Sequence, residues 1–450
     1  MNNQFEAKPE PSSLFRWTIL IIISLAMFGN YYIYDSISPL ADLLVKQLKF
    51  SDADIGLLQG IYSFPNIIMV LIGGIIIDKI GTRISVVIFT ILIMIGAAIT
   101  AISDKLFFMA AGRLIFGLGA ESMIVAITTI VARWFKGKEL SFAFGLNLTV
   151  ARLGSFLALN SPTWGKSLYN YWQSPLWITV AAGIFAVVMI IVYYMMDAYA
   201  SKRYLLPTEG KQDKIVLKEL LSFNKSFWYI TALCVTFYSA MFPFQTFAIK
   251  FFQDAHGTSR EVGGNLSSML TLAAMFFTPL FGLLADKIGK RSLLMMFGSL
   301  LIIPVYLMMA YKFGRPDVMT ESSFINLNFD FFDIHASIPI YLILPMSMMG
   351  IAFSLVPAIL WPSVSLIVDN SKLGTAYGLM TMIQNIGLFA FNLIIGYAND
   401  YSSAGPQNPS GYNLGMWIFS SLGFFGLVFT FFLWKSQKGN GEYGLEKGMK

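Results

Sequence analysis

The sequence predicts an all-α membrane protein with twelve transmembrane helices arranged in two halves of six. Three observations predict this class: the composition, the number of long apolar segments, and a pair of motifs that occurs in both halves. Of the 450 residues, 56% are hydrophobic and only 12% are charged, and the mean hydropathy is +0.65. A soluble chain of this length does not need so much apolar surface, whereas a chain that crosses a bilayer many times does.

Twelve apolar segments are long enough to cross a bilayer. A transmembrane helix needs about 20 mostly apolar residues, and charged or Gly/Pro-rich breaks in the sequence delimit the candidates. We expect the helices near residues 17–40, 55–77, 84–102, 106–131, 140–160, 175–197, 225–252, 262–285, 292–311, 337–361, 372–399 and 412–434.

The distribution of basic residues predicts the orientation. The net charge is +6, and most of the 31 Lys and Arg residues fall in the termini or in loops on the same side of the membrane as the termini. This asymmetry is the positive-inside pattern, which places both termini in the cytoplasm. The basic excess therefore reflects insertion in a lipid bilayer and does not indicate a nucleic-acid partner.

Residues 198–224 divide the chain. This polar, lysine-rich stretch is the longest connection on the cytoplasmic side and leaves six predicted helices on either side. We therefore predict an N-terminal six-helix bundle over 1–197, a cytoplasmic linker over 198–224 and a C-terminal six-helix bundle over 225–450.

Two motifs occur once in each half, at matching positions. The stretch GIIIDKIGTR (74–83) reappears as GLLADKIGKR (282–291), each time after the second helix of its half. In the fifth helix, FGLNLTVARLG (144–154) aligns with YGLMTMIQNIG (377–387) in the eleventh. Repeated halves are typical of secondary transporters, in which the substrate binds near the bilayer midplane between them.

Several stretches resemble a known family. The loop motif at 74–83 and 282–291 and the stretch RLIFGLG (113–119) resemble signatures of the major facilitator superfamily. The stretches GRLIFGLGAES (112–122) and WFKGKEL (134–140) are more discriminating, and they resemble the lysosomal dipeptide transporter branch of that superfamily. This resemblance extends from the first helix to the last. It implies the superfamily fold and the transport of dipeptides.

Two opposite charges fall in the middle of neighbouring predicted helices. Glu121 lies close to the midpoint of the helix near 106–131, and Arg152 lies about midway along the helix near 140–160. A short loop joins the two helices, so both charges are expected at a similar depth. Ionisable residues inside a membrane are costly and usually mark a functional site.

The Glu121 and Arg152 pair has two interpretations. One is a permanent structural ion pair. The other is recognition of a zwitterion, in which Glu121 binds an ammonium group and Arg152 binds a carboxylate through its planar guanidinium. In the related dipeptide transporters the matching Glu and Arg bind the substrate, so the resemblance implies the second interpretation.

Uncharged residues are expected to complete the substrate site. In the internal repeat Arg152 corresponds to Asn385, and Gln384 and Asn385 are predicted to contribute neutral polar groups from the second half. Apolar walls are predicted from three aromatic residues, for which packing between helices is the alternative role: Trp361, Tyr62 and Phe244.

The repeated loop motif predicts a gate at the cytoplasmic ends of the helices. Asp78 and Asp286 are expected to cap helices or to pair with Arg83 and Arg291, in a charge network that locks one state and breaks as the halves rock. The alternative is that these charges only set the orientation of the helices in the membrane. That would explain the basic residues but not the Asp that occurs in both halves.

Two further charged residues fall within the apolar segments. Arg113 lies about 12 Å along the helix from Glu121. It is expected to have a structural role, with proton coupling as the alternative. Asp35 is expected near the outer boundary of the first helix, where it is a weaker candidate for a proton site.

The chemistry absent from the sequence excludes several classes of protein. The sequence contains no Walker-type phosphate loop, no Cys/His metal cluster and no nucleophile motif. Its single cysteine excludes an internal disulfide. We therefore predict no enzyme activity, no metal and no cofactor. A transporter-like receptor or scaffold is disfavoured because no large extramembrane domain is predicted.

The predicted function is facilitative uniport of dipeptides by alternating access. The alternative is a proton-coupled symporter of amino acids or short peptides, with Glu121 as the proton carrier. The stretch EPSSLF (10–15) ends in Phe where an acidic dileucine sorting signal would carry Leu or Ile. We therefore expect a bacterial plasma membrane, with the lysosomal membrane as the alternative. An accessory glycoprotein of the kind found with the relatives is then doubtful.

Overall fold

The chain folds almost entirely into α-helices. The computed structural model describes residues 9–135, 139–205, 223–329, 334–369, 372–440 and 445–446. The helices are α1 Ser13–Asp35, α2 Ala41–Leu48, α3 Asp52–Gly60, α4 Ser63–Ile80, α5 Thr82–Ile102, α6 Leu106–Phe135, α7 Leu140–Leu159, α8 Ser161–Trp164, α9 Gln173–Arg203, α10 Lys225–His256, α11 Arg260–Ile288, α12 Arg291–Ala310, α13 Ile340–Ile367, α14 Leu373–Tyr401 and α15 Asn413–Asn440.

The number of membrane crossings agrees with the sequence. Within the described ranges, eleven helices are long and apolar enough to span a membrane, and a bent pair of segments between Asp52 and Ile80 makes a twelfth. The pair consists of Asp52–Met69 and Ile72–Ile80, and it covers the helix predicted near 55–77. A separate interruption lies between α3 and α4, just before Pro65, which has no N–H to donate to the Ile61 carbonyl. Tyr62 lies at this junction.

The segment between α12 and α13 departs from an all-α chain. Strands β1 (Phe324–Phe329) and β2 (Ile334–Pro339) pair antiparallel there, with Phe324 opposite Pro339. The sequence predicted no strand between the helices near 292–311 and 337–361, and α13 begins at Ile340. Two short paired strands bond their own backbone groups and need no wider sheet.

The linker prediction is only partly open to comparison. Helix α9 continues to Arg203, so the first residues of the predicted 198–224 linker are helical. The rest of that stretch, from 206 to 222, lies outside the described residues. The division of the chain into two bundles stays a prediction. We refer to α1–α9 as the N-terminal helices and to α10–α15 as the C-terminal helices.

The helices alternate in direction, so the bundle has two ends. We call the end of the bundle that contains Ser13, at the start of α1, the terminal face. It also contains the C-terminal ends of α4, α6, α9, α11, α13 and α15. We call the opposite end the distal face. It contains Asp35, Asp52 and the C-terminal ends of α5, α7, α10, α12 and α14. Buried side chains form two clusters. Among the described residues, one cluster comprises N-terminal helices only. The other combines the C-terminal helices with N-terminal residues toward the distal face, from Ile37–Leu58 and from Ala101, Met109, Tyr169 and Leu176.

Close backbone contact joins the two groups of helices near the distal face. A Cβ on Gly56 would lie 2.2 Å from the Asn392 carbonyl oxygen, and one on Gly396 would lie 2.4 Å from the Asp52 carbonyl oxygen. Glycine at these two positions therefore lets α3 and α14 touch backbone to backbone.

Polar contacts close the distal face. Lys250 Nζ lies 3.1 Å from Asp52 Oδ1 and 3.0 Å from Asp254 Oδ2, and all three side chains are buried. Arg260 Nη2 lies 2.6 Å from Asp42 Oδ2. These ion pairs connect the N-terminal and C-terminal helices at that end of the bundle.

Candidate substrate site

A polar cavity of about 290 Å³ lies between the N-terminal and C-terminal helices. Its volume is near the lower end of the roughly 300–1,000 Å³ that is usual for small-molecule pockets. Of the seven residues expected at a substrate site, six line this cavity: Tyr62, Glu121, Arg152, Trp361, Gln384 and Asn385.

Glu121 is held by a tyrosine. It lies in the middle of α6, and the Tyr62 hydroxyl donates a hydrogen bond to Glu121 Oε1 at 2.7 Å. One turn earlier on α6 is Gly117, where a Cβ would lie 2.3 Å from the Tyr62 carbonyl oxygen. The absence of a side chain at Gly117 therefore allows the α3–α4 junction to approach α6. The Tyr62 ring packs against Phe116 and Tyr34, with centroid distances of 5.3 and 4.8 Å.

Arg152 does not pair with Glu121. None of the ion pairs in the described part of the chain joins them. The Arg152 guanidinium lies over the ring of Phe353 on α13, 5.5 Å from its centroid. The permanent structural ion pair that the sequence left open is therefore not formed. Two opposite charges face one cavity and remain separate.

The C-terminal helices contribute neutral polar groups. Asn385 Nδ2 donates to the Thr381 carbonyl at 3.0 Å, while its buried Oδ1 accepts no hydrogen bond. Gln384, which accepts a weak hydrogen bond from the Cys234 thiol at 3.7 Å, lies beside it in the cavity wall. Trp361 Nε1 donates to the Tyr238 hydroxyl at 2.8 Å, which fixes the indole plane.

Phe244 was wrongly expected in the cavity wall. Its side chain is 1% exposed and packs against Tyr306 and Phe419, with centroid distances of 5.4 and 6.0 Å. Phe242, two positions earlier, lines the cavity. Residues two apart on a helix point about 200° apart, so only one of the two can face the site.

The periodicity of α10 could have identified Phe242 as the aromatic residue of this helix that lines the cavity. Tyr238, Phe242 and Gln245 are spaced by four and three residues, which puts them on one face of α10, and all three line the cavity. The ring of Phe242 stacks on Tyr238 at 5.6 Å and meets Phe353 edge-on at 5.9 Å. Sequence analysis did not identify Tyr238 or Phe353.

Two predicted gate pairs lie at the terminal face. The pair in the C-terminal helices forms as expected, and the pair in the N-terminal helices does not. Arg291 pairs with Asp286 at 2.7 Å, as expected. Arg83, however, pairs with Asp197 of α9 at 2.6 Å, and the side chain of Asp78 is exposed. Asp197 is fully buried, and its position at the end of a predicted helix was the signal that could have pointed to it. Both pairs join residues within one group of helices, so a gate between the groups stays a prediction.

Arg113 has the geometry of a structural residue. It is 1% exposed and donates to the Ile33, Tyr34 and Leu58 carbonyls at 3.0–3.1 Å. A further hydrogen bond reaches Gln59 Oε1 at 2.9 Å. The guanidinium thereby satisfies carbonyls at the C-terminal end of α1 and fastens that end to α3.

The Asp35 side chain is more completely buried than its sequence position suggested. We expected it near the outer boundary, but it is 8% exposed and lines the central cavity beside Arg152 and Ser155.

Membrane-spanning helices in two groups, with a cavity between them that charged and polar side chains line, are typical of a secondary transporter. The family model described as Major Facilitator Superfamily matches residues 23–319 and 244–447. The chain belongs to that superfamily. It is a multi-pass membrane transporter and not an enzyme.

Two named relatives are similar to this chain over most of its length. The lysosomal dipeptide transporter MFSD1 of Danio rerio is 31% identical over 397 residues, which cover 85% of this chain and 80% of the relative. The protein of the same name from Homo sapiens is 29% identical over 405 residues, covering 87% and 82%.

Solved structures share the fold at low sequence identity. A bacterial homologue of the human lysosomal transporter Spinster, in an inward-facing and unoccupied conformation, has a TM-score of 0.73 at 15% identity, over 98% of this chain and 100% of that one. A mutant of the nucleoside transporter NupG has a TM-score of 0.70 at 15% identity, over 93% and 99%.

Proposed function

We propose that the chain transports dipeptides across a membrane by alternating access, as a facilitative uniporter. The observation that carries this proposal is the separation of Glu121 and Arg152, two opposite charges that face one cavity without pairing. Charges held apart inside a membrane are costly unless a ligand neutralises them. A dipeptide with free termini brings one positive and one negative charge.

Each end of the dipeptide has a partner in this proposal. The ammonium group binds the Glu121 carboxylate, which the Tyr62 hydroxyl already orients. The carboxylate binds the Arg152 guanidinium through two parallel hydrogen bonds, a geometry that suits Arg better than Lys. The curated relatives named as dipeptide transporters support this choice of substrate.

The middle of the dipeptide meets neutral groups. Asn385 Oδ1 is a buried acceptor without a donor, which suits the peptide N–H. Aromatic rings of Phe242, Phe353 and Trp361 line the remaining wall. Such walls gain from burying apolar side chains without selecting one of them, so varied side chains are accepted.

Alternating access is supported by the closed distal face. The contacts of Lys250 with Asp52 and of Arg260 with Asp42 join the two groups of helices there. Those contacts must break for the cavity to open on that side, as the groups rock about the bound substrate. By the positive-inside rule the terminal face is cytoplasmic.

The second candidate is a proton-coupled symporter of amino acids or short peptides. Two carboxylates, Glu121 and Asp35, line the cavity and have no ion-pair partner among the described residues. Burial in a low dielectric disfavours the charged form of a carboxylate, so either could carry a proton. We place the protein in a bacterial plasma membrane, with the lysosomal membrane, where the relatives are named as residing, as the alternative.

Counterflow in proteoliposomes tests the proposal. The assay compares labelled dipeptides, free amino acids and dipeptides blocked at either end, with and without a proton gradient. We expect exchange of dipeptides with free termini and no exchange of single amino acids. Blocking either terminus should abolish the exchange, and the proton gradient should not change it. Accumulation driven by the gradient, or a preference for single amino acids, would instead select the symporter.

A further inference from the structure

Asp35 is a buried carboxylate that the proposed binding of a zwitterion does not use. It is the last residue of α1, it is 8% exposed, and it lines the distal end of the cavity. A negative charge at a helix C-terminus is unfavourable because the helix dipole is negative there. A membrane interior adds a second cost. A residue in this position is expected to have a cation nearby.

The other strongly buried aspartates have such a cation. Asp42 pairs with Arg260 at 2.6 Å, Asp52 with Lys250 at 3.1 Å, and Asp197 with Arg83 at 2.6 Å. Asp35 takes part in none of the ion pairs of the described residues. It also differs from these three in lining the central cavity.

The two arginines that face Asp35 are engaged elsewhere. Arg113 directs its N–H groups at three backbone carbonyls and Gln59. Arg152 lies over Phe353, and in the proposed function it binds the substrate carboxylate. Ser155 also lines the cavity near Asp35, but its hydroxyl is neutral. Among the described residues, the Asp35 carboxylate therefore has two arginines in electrostatic range but forms no ion pair with either.

Further groups of α1 favour a cation at this end of the cavity. Asn30 is 3% exposed, lines the cavity and has an Oδ1 that accepts no hydrogen bond. The rings of Tyr31 and Tyr34 also line it. Carboxylate and amide oxygens accept hydrogen bonds from ammonium and guanidinium groups, and aromatic rings attract both through cation–π contacts.

We infer that Asp35, with Asn30, Tyr31 and Tyr34, forms a second cation subsite that binds the basic side chain of a dipeptide. The inference rests on the proposed function, because Glu121 and Arg152 must already hold the two termini. A neutral dipeptide then leaves Asp35 without a direct ion-pair partner. A dipeptide that contains lysine or arginine brings the missing cation, so the site prefers dipeptides of net charge +1.

Binding of four dipeptides to the purified protein tests the inference. Isothermal titration calorimetry measures the dissociation constants of Ala-Ala, Lys-Ala and Glu-Ala, and of Ala-Lys to cover the other order. We expect wild type to bind the better lysine peptide at least about tenfold more tightly than Ala-Ala, which is the range of a hydrogen bond between charged groups. Glu-Ala is expected to bind most weakly.

Variants assign the preference to Asp35. Asp35→Asn is expected to bring the ratio of Lys-Ala to Ala-Ala affinity close to one, and Asp35→Glu to keep most of it. Asp104→Asn removes an exposed carboxylate from the distal face and is the matched control, with an unchanged ratio. A ratio is independent of the fraction of folded protein, so partial misfolding does not mimic the effect.

The outcomes separate this inference from the proposed function. Failure of every dipeptide to bind wild type overturns the proposed function and this inference with it. Equal binding of Lys-Ala and Ala-Ala by wild type overturns this inference alone. An Asp35→Asn variant that keeps the lysine preference also overturns this inference alone, because another group would then bind the basic side chain.

Discussion

The Tyr62 hydroxyl donates a hydrogen bond of 2.7 Å to Glu121, while Arg152 lines the same cavity without pairing with that carboxylate. The phenol is a neutral donor, so the Glu121 charge is oriented but not neutralised. Arg152 is likewise stabilised by the face of Phe353 and keeps its charge available. A site arranged in this way is ready for a ligand that carries both charges.

Removal of either charge is expected to abolish dipeptide transport and to leave folding largely intact. Glu121→Gln cannot neutralise an ammonium, and Arg152→Ala cannot bind a carboxylate. Neither residue holds another element through an ion pair, so the thermal unfolding midpoint should change little. Counterflow of a labelled dipeptide checks the transport.

Matched surface variants control for these substitutions. Glu321→Gln and Arg315→Ala make the same chemical changes at exposed positions near the distal face and should transport normally. Normal transport by Glu121→Gln or Arg152→Ala would contradict the assignment of the two charges to the substrate termini.

Tyr62→Phe is expected to lower stability more than transport. The ring keeps its contacts with Phe116 and Tyr34, but the buried carboxylate of Glu121 loses its donor, which costs about 1.5–3 kcal/mol for a hydrogen bond to a charged group. A substrate ammonium can replace that donor. The unfolding midpoint without ligand should therefore fall, and the upward shift on adding dipeptide should be larger than in wild type.

This prediction is wrong if Tyr62→Phe transports as little dipeptide as Glu121→Gln while its thermal unfolding midpoint is unchanged. The hydroxyl would then contact the substrate directly and would not act by holding Glu121.

Phe242 and Phe244 are expected to differ although they are two residues apart. Phe242→Ala removes a cavity wall and should raise the dissociation constant for a dipeptide with a modest loss of stability. Phe244→Ala empties a packed site between Tyr306 and Phe419 and should cost about 3–5 kcal/mol of stability. Thermal unfolding with and without dipeptide measures both effects, and each variant is the control for the other. The reverse pattern would contradict the orientation of α10.

Lys250→Met is expected to destabilise the closed distal face. It leaves Asp52 and Asp254 buried without their cation, and breaking a buried pair in this way costs about 3–5 kcal/mol. The unfolding midpoint should fall, and a cysteine introduced at Ser38, which now bonds to Gln245, should react faster with a water-soluble maleimide. The native Cys234 is buried and serves as the slow reference.

Lys46→Met is the control for this prediction. Lys46 pairs with Asp42 at 3.1 Å, but its side chain is largely exposed, so the loss should be within about 1 kcal/mol. Equal effects of the two variants would show that the Lys250 contacts do not hold the two groups of helices together.

Much of the fold could be predicted because hydrophobic length is a local property. Each crossing needs its own run of apolar residues, so the segments could be counted without knowing their neighbours. The exceptions are also local in origin. The break before Pro65 follows from a missing backbone donor, and the β1–β2 hairpin lies in a segment in which polarity obscured a strand pattern.

The site was less predictable where orientation mattered. Glu121 and Arg152 could be singled out because a charge inside an apolar segment is conspicuous in sequence. Phe244 was chosen over Phe242 because both are aromatic, and only the rotation of α10 decides which one faces the cavity. Asp197 was missed as the partner of Arg83 because α9 meets α5 only in the folded bundle.

The sequence by itself determined the membrane class, the number of crossings and the two charges near the middle of the bilayer, since each depends on the composition of a single segment. Only the tertiary structure decided that Glu121 pairs with Tyr62, that Arg152 stays apart from it, and that Asp35 faces the same cavity. These relationships depend on distances between side chains of different helices. Helix packing sets such distances, and apolar segments of similar composition can pack in many ways.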